Sequence, residues 1–173
     1  MKKITLVGSS ILMVLALATF FFYQSCSPDP CKTTICNNGG TCADGNCVCA
    51  AGFEGTDCST LSRDKFVKVW HTTNNSCDTA ATGAAISITA NTTNNKGLKI
   101  AYFSHLTCQT GTILISCTMT GANTFSIDNS TYCGIIFSGT GTLNGNTLTV
   151  SYTFNDTSGF NIPSSGSCTA VYN

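Results

Sequence analysis

The sequence is poor in charged residues. Eight basic and eight acidic side chains give a net charge of zero, and charged residues make up 9% of the 173 positions. An ordinary soluble domain has roughly 25%. A chain with so few cations cannot build a phosphate-neutralising face, which excludes nucleic acid as a partner. The 42% of apolar residues are enough to build a core, which argues against a disordered chain.

Residues that commonly carry catalysis are also scarce. The chain has two histidines, His71 and His105, and a single glutamate, Glu54. A three-histidine metal site is therefore impossible, and neither G-x-S-x-G nor H-E-x-x-H occurs. Most Asp residues fall in predicted turns, where Asp usually accepts hydrogen bonds from backbone amides. We expect no enzyme activity, no catalytic residue, no metal site and no cofactor.

Small polar residues and cysteine are abundant instead. Thr, Ser and Asn together fill 61 of the 173 positions, and these residue types favour strands, caps and turns over helix interiors. The twelve Cys residues are a density typical of proteins that fold in an oxidising compartment. The composition therefore predicts an exported, cross-linked, mostly β protein.

The first 25 residues have the layout of an export signal. Lys2 and Lys3 form a positive start, no charge occurs over residues 4–23, and residues 11–23 are almost wholly apolar. Such a stretch before a small residue is typical of a cleaved signal peptide, which we place at residues 1–25. The alternative is an uncleaved anchor, because twenty uncharged residues would reach across roughly 30 Å of hydrocarbon.

Cys26 follows this stretch directly and is succeeded by Ser-Pro-Asp-Pro. The arrangement resembles a bacterial lipoprotein signal. The resemblance implies that Cys26 becomes the lipidated mature N-terminus, with residues 26–30 as a tether. Several acyl chains on one Cys would hold a protein on a membrane without a spanning helix. We therefore expect a membrane partner through the lipid, at the bacterial outer membrane or cell surface.

Residues 31–58 hold six of the twelve Cys residues. A segment of this size cannot bury a sufficient core and needs covalent staples. Six cysteines allow 15 connectivities, and their spacing does not choose among them. Zinc ligation is the competing interpretation, but Cys47-x-Cys49 lacks the usual two to four intervening residues and exported thiols oxidise. The six cysteines are Cys31, Cys36, Cys42, Cys47, Cys49 and Cys58.

The same segment resembles an EGF-like module. Its second half has the C-x-C-x2-G-aromatic-x-G-x2-C ending of that family, with Gly52, Phe53 and Gly55, and Asn-Asn-Gly39-Gly40-Thr precedes the third Cys. The resemblance implies turns at these glycines and the pairs Cys31–Cys42, Cys36–Cys47 and Cys49–Cys58. The acidic pair of calcium-binding members is missing, so we expect no structural calcium.

Residues 63–173 alternate between apolar and hydroxyl-bearing side chains in several runs, as in Leu148, Val150, Tyr152 and Phe154. This period of two predicts strands with one buried face, and Asn- and Gly-rich turns separate the runs. Eight consecutive antiparallel strands predict a meander closed as a small barrel, or a sandwich. The predicted strands lie near 65–73, 84–90, 97–106, 111–119, 123–128, 131–141, 146–154 and 166–172.

Residues 63–70, Arg-Asp-Lys-Phe-Val-Lys-Val-Trp, resemble the first strand of lipocalin-like barrels. The resemblance implies that Trp70 plugs the closed end of the barrel. In that superfamily a basic residue of the last strand packs across the Trp, whereas residues 167–172 contain none here. An eight-stranded barrel has room inside for side chains or one small ligand, and we expect it to be mostly filled.

Five cysteines remain in this part of the chain. Cys77 follows the first strand and Cys168 lies in the last, and these strands are neighbours in a closed meander, so we expect Cys77–Cys168. Cys117 and Cys133 would lie two strands apart, about 9–10 Å at 4.7–4.9 Å per strand, which is too far to bridge. The pairing of these two and of Cys108 stays open. With Cys26 lipidated the number is odd, so one buried, inert thiol is expected.

These observations favour a non-enzymatic envelope lipoprotein, in which an EGF-like stalk displays a β domain for binding or as a structural module. Its protein or glycan partner is not specified by the sequence. One alternative is a carrier of a small apolar ligand inside the barrel, and another is a hydrolase whose motif is not visible. A cavity of at least about 300 Å³ would favour the carrier.

Overall fold

The computed structural model describes residues 28–102, 113–159 and 164–173. The described residues form twelve strands and two short 3₁₀-helices, Ser62–Phe66 and Thr79–Ala81. The chain is thus mostly β. The strands are β1 Thr41–Ala43, β2 Asn46–Val48, β3 Phe53–Glu54, β4 Thr60–Leu61, β5 Val69–Asn75, β6 Ala85–Ala90, β7 Gly97–Ala101, β8 Leu114–Met119, β9 Thr124–Tyr132, β10 Ile135–Asn144, β11 Thr147–Asp156 and β12 Ser165–Tyr172.

Some of the expectations fall on residues that the structure does not describe. The signal at residues 1–25, the lipidation residue Cys26, and Cys108 and His105 all lie outside the described ranges. Among the residues inside those ranges, no helix is long and apolar enough to cross a membrane.

Strands β5 to β12 form a closed antiparallel barrel in which each strand pairs with the next along the chain. β12 returns to pair with β5, so the predicted closed meander is confirmed. This closing seam is short: three residue pairs, from Ala170↔Asn75 to Tyr172↔Thr72, with a register shift between the last two. The β10–β11 ladder, by contrast, runs over ten pairs. The β5–β6 and β8–β9 ladders also have three pairs each, so the barrel is closed by one of its short ladders.

Alternate residues of the strands fill the barrel interior. The β11 residues Leu148, Val150, Tyr152 and Phe154 are all buried. Glycine makes room for aromatic rings: a Cβ on Gly141 would lie 2.0 Å from Cζ of Phe125. Fully burying a large apolar side chain contributes roughly 1.5–3 kcal/mol, so these interior residues supply most of the stabilisation of the barrel.

The first predicted strand begins too early. Residues Ser62–Phe66 form a 3₁₀-helix, and β5 starts at Val69 and continues to Asn75. Phe66 is therefore not part of the strand that contains Trp70. It is the last residue of the 3₁₀-helix, and its buried side chain closes the end of the barrel. Its ring meets that of Phe125 edge-on at 5.5 Å between centroids.

The predicted strands 123–128 and 131–141 leave a turn near Asp128-Asn129, a pair that favours turns. The turn between β9 and β10 lies instead at Cys133-Gly134. Both turn residues have positive φ, 52° and 76°, as a two-residue type I′ hairpin turn requires. Asn129 has φ 38° within β9, next to a register shift between Phe137 and Gly139 of β10. The Asn signal therefore marks a bulge in the strand, and Cys133 lies in the turn rather than in a strand.

Because neighbouring strands of the meander run in opposite directions, alternate connections share an end of the barrel. The helix Ser62–Phe66 and the connections 91–96, 120–123 and 145–146 lie at one end, which we call the closed end. The connection 76–84 and the turn 133–134 lie at the other, which we call the far end.

Candidate functional site

Trp70 is fully buried at the closed end of the barrel, where the lipocalin-like resemblance places a plug. Its indole Nε1 donates a hydrogen bond to the carbonyl oxygen of Phe66 at 2.8 Å, which satisfies its polar atom. The Lys68 ammonium lies 3.8 Å from the ring centroid, within cation–π range. A cation thus covers the Trp, although it comes from the residue two positions earlier and not from the last strand.

Arg63 holds the same end together. Its Nη1 donates to three backbone carbonyls: those of Asn91 and Asn94 in the connection between β6 and β7, and that of Gly97, the first residue of β7. Arg63 is only 9% exposed. Its buried charge is balanced by these carbonyl dipoles and by the Asp64 carboxylate, whose Oδ1 lies 3.8 Å from Arg63 Nε. Leaving such a charge without partners would be costly, so these contacts fix the loop against the helix.

The disulfide-rich segment is joined to this closed end by direct contacts. Strand β3 pairs with β4, and the Ser62 amide donates to the Gly52 carbonyl at 3.0 Å. The Lys65 ammonium lies 2.5 Å from Glu54 Oε2. Gly52 has φ 89°, and a Cβ there would approach Lys96 to 2.8 Å, so the residue serves both a turn and a close approach to the barrel.

The structure contains the three disulfides that the EGF-like resemblance implies: Cys31–Cys42, Cys36–Cys47 and Cys49–Cys58. The other turn residues lie where that resemblance places them: Gly39 follows Asn38 in a turn before β1, Gly40 lies against the Cys58 sulfur, Phe53 begins β3 and Gly55 follows it.

A comparison with known families agrees with this geometry. Residues 26–58 match the family model of the EGF-like domain. The matched range begins at Cys26 and so includes residues 26–30 as well as the six cysteines of this EGF-like module. No curated protein and no solved structure matches the chain. An EGF-like module with three disulfides is of the extracellular type, and this indicates an exported protein.

The Cys77–Cys168 bridge is present and spans a sequence separation of 91 residues. It lies beside the short seam between β5 and β12. The backbone of Ser76 donates to the Thr169 carbonyl, and the Ser76 hydroxyl accepts from the Thr169 amide at 2.8 Å. The disulfide and these two hydrogen bonds therefore extend the seam beyond its three strand pairs.

Of the cysteines whose pairing was open, Cys117 is free and buried, and Cys133 is disulfide-bonded. Burial, with a smaller contribution from the Asp128 carboxylate, raises the pKa of the Cys117 thiol well above its ordinary range. A thiol that stays protonated is neither a nucleophile nor a metal ligand at neutral pH. The expected buried, inert thiol is Cys117.

Among the described residues, no group of three or more His, Cys, Asp or Glu side chains is placed to hold a metal ion. The hydroxyl and amide of Ser59 donate hydrogen bonds to the Asp57 carboxylate and lower its pKa. Asp57 also accepts from the Asn37 amide. These contacts give Asp57 a structural part in the EGF-like module.

The outer surface of the barrel carries a groove of about 500 Å³ across β10, β11 and β12. The alternation in the sequence predicts hydroxyl-bearing residues on the solvent-facing side of these strands, but it does not predict a concave surface there. Strand register and sheet curvature decide which of these residues become neighbours, and neither is encoded in the alternation. The groove is lined by Ile136, Ser138, Thr153, Phe154, Asn155, Ser165, Gly166 and Ser167.

Proposed function

We propose that this protein is a lipid-anchored envelope protein whose EGF-like module holds a non-enzymatic β-barrel for surface binding. The observation that carries the proposal is the junction: the EGF-like module is joined to the closed end of the barrel. The far end and the outer strand faces beyond it are thereby left for a partner.

The interior of the barrel supports binding on the outside rather than carriage of a ligand inside. The large side chains Trp70, Phe66 and Phe125 are fully buried at the closed end. Four more large apolar side chains are fully buried: Phe137, Ile100, Ile115 and Leu148. A small-molecule carrier needs an enclosed apolar space of about 300 Å³ or more, and interior side chains of this size occupy the space that such a ligand would need.

The EGF-like module suits the part of a spacer. Only Gly52 and Cys58 are buried between residues 28 and 58, so the module holds its shape through disulfides and offers no enclosed pocket of its own. Cys26 precedes the described residues by two positions, and the chain spans at most about 3.6 Å per residue. A lipid on Cys26 would therefore keep the module close to the membrane surface.

Replacing Cys26 tests the anchor. We expect the wild-type chain to sediment with membranes and to carry acyl groups on its N-terminal peptide, and Cys26→Ser to be released in soluble form. Ser27→Ala is the matched control and should stay on the membrane. Membrane retention of Cys26→Ser, or a wild-type N-terminal peptide without acyl mass, would contradict the proposal.

A further inference from the structure

The groove on the outer face of the barrel has two registered rows of side chains. In one row Ile136 faces Asn155, which faces Ser165; in the next Ser138 faces Thr153 and Ser167. Each row crosses three strands, and neighbouring strands lie about 4.8 Å apart. The groove therefore presents polar side chains at fixed spacings, and the apolar side chains of Ile136 and Phe154 also line it. The groove is an open surface depression with a volume of about 500 Å³.

Two of its hydroxyls are already oriented. Ser138 Oγ and Thr153 Oγ1 are 2.7 Å apart, and the Thr153 hydroxyl also approaches the Ser138 carbonyl at 3.4 Å. In the adjoining row, Ser151 and Thr169 make a similar hydroxyl pair at 3.3 Å. Hydroxyls held in this way lose little freedom when a ligand binds, which lowers the entropic cost of association.

No ionisable side chain lines the groove. The strands β10–β12 contain a single charged residue, Asp156, which is 5% exposed and accepts hydrogen bonds from Ser158. The basic residues of the whole chain all precede residue 100. Recognition at this surface must therefore use hydrogen bonds and apolar contact, and a charged ligand would find no partner for its charge.

We propose that this groove binds a neutral glycan. A sugar ring has an apolar C–H face and a rim of hydroxyls, which match the exposed Ile136 and the Ser, Thr and Asn side chains beside it. The inference names the ligand class of the binding surface and so rests on the proposed function. The groove lies toward the far end, away from the EGF-like module.

Affinity electrophoresis of the full mature chain in mild detergent tests this proposal. The neutral probes are a soluble β-glucan and an α-mannan, and the anionic probes are alginate and heparin. We expect at least one neutral polysaccharide to retard the protein, to the same degree at low and high salt, because no ion pair is involved. Removing two hydroxyls with Ser138→Ala and Thr153→Val should weaken binding about tenfold.

Thr89→Val is the matched control, since Thr89 is exposed on β6 next to the closed end of the barrel, whereas the groove lies toward the far end. Ile136→Asp is a second variant, which should abolish retardation while thermal unfolding shows an intact barrel. Retardation by neither neutral polysaccharide would overturn the proposal. So would equal weakening in Thr89→Val, or retardation by the anionic probes alone that salt abolishes.

The same preparation separates the two proposals. If the N-terminal peptide is acylated but the neutral polysaccharides do not retard the protein, the glycan inference fails and the anchored binding protein stands. If the peptide carries no acyl group, the anchor fails whatever the gels show.

Discussion

The EGF-like module and the barrel are stabilised by different means. Between residues 28 and 58 only Gly52 and Cys58 are buried, and three disulfides with separations of 9 to 11 residues hold the chain. The barrel buries a continuous cluster of apolar side chains. Its Cys77–Cys168 bridge instead spans 91 residues. Cross-links replace a core where the chain is too short to bury one, and the Cys77–Cys168 bridge adds a covalent link beside the short closing seam where a core exists.

The largest effect should follow from opening that seam. Cys77→Ala combined with Cys168→Ala removes a cross-link whose long loop corresponds to about 4–5 kcal/mol in the chain-entropy model. We expect the barrel to lose that much stability in urea-induced unfolding. An unchanged midpoint would mean that the three strand pairs of the seam suffice on their own.

The second effect tests the apolar core of the barrel. Trp70→Ala removes the largest fully buried side chain together with its hydrogen bond to Phe66, and we expect a loss of about 3–5 kcal/mol. Tyr102→Ala, at a residue that is 65% exposed, is the control and should change stability little. Calorimetry of both variants measures the difference, and similar losses would contradict the plug.

The third effect belongs to the EGF-like module alone. Replacing Cys36 and Cys47 together by Ala should lower the free energy of unfolding of the module by about 3 kcal/mol for a loop of this length. A module without an apolar core should unfold after such a loss. We expect limited proteolysis to cut within residues 31–58 while the barrel stays folded. Loss of the barrel along with the module would show that the two are one cooperative unit.

A smaller effect appears at alkaline pH. Burial, with a smaller contribution from Tyr152, raises the pKa of the Tyr172 phenol. The unfolded chain releases this proton near the ordinary pKa of about 10, before the folded chain does. The stabilisation is therefore complete below pH 10 and is lost as the pH rises above it. The melting temperature should fall less steeply above pH 10 in Tyr172→Phe, and identical slopes would refute this account.

The smallest effect concerns the junction. Lys65 and Glu54 form an ion pair whose side chains are 30% and 32% exposed, and such partly solvated pairs contribute about 1 kcal/mol or less. Lys65→Met should leave the stability of the barrel nearly unchanged. Its effect should appear as faster amide exchange of β3 and β4, measured by NMR, with Lys99→Met as the control.

Much of the fold could be predicted from the alternation of side chains. The strands predicted at 84–90 and 146–154 lie within a few residues of β6 and β11, because apolar and hydroxyl residues alternate there. The strand predicted at 97–106 begins with β7 at Gly97, β7 ends at Ala101, and residues 103–106 lie outside the described ranges. The start of the first strand is wrong because Phe66, although buried, belongs to a 3₁₀-helix. A buried apolar residue does not by itself specify a strand backbone.

The site was less predictable than the fold. The three pairs of the EGF-like module followed from a local motif, and Cys77–Cys168 followed from closure of the meander. The groove on β10–β12 could not be predicted from the sequence. It depends on the register between strands that are distant in sequence, which brings Ser138 of β10 and Ser167 of β12 into one row. The partners of Arg63 were missed for the same reason, since they are backbone carbonyls about thirty residues away.

Non-reducing peptide mapping of the mature protein, combined with its intact mass, tests the central claim most directly. The account predicts an acylated N-terminal peptide that begins at Cys26, the four linked pairs described above, Cys133 in a further disulfide, and Cys117 as a free thiol that reacts only after denaturation. A chain that keeps residues 1–25, carries no acyl group and has reduced cysteines throughout would contradict it.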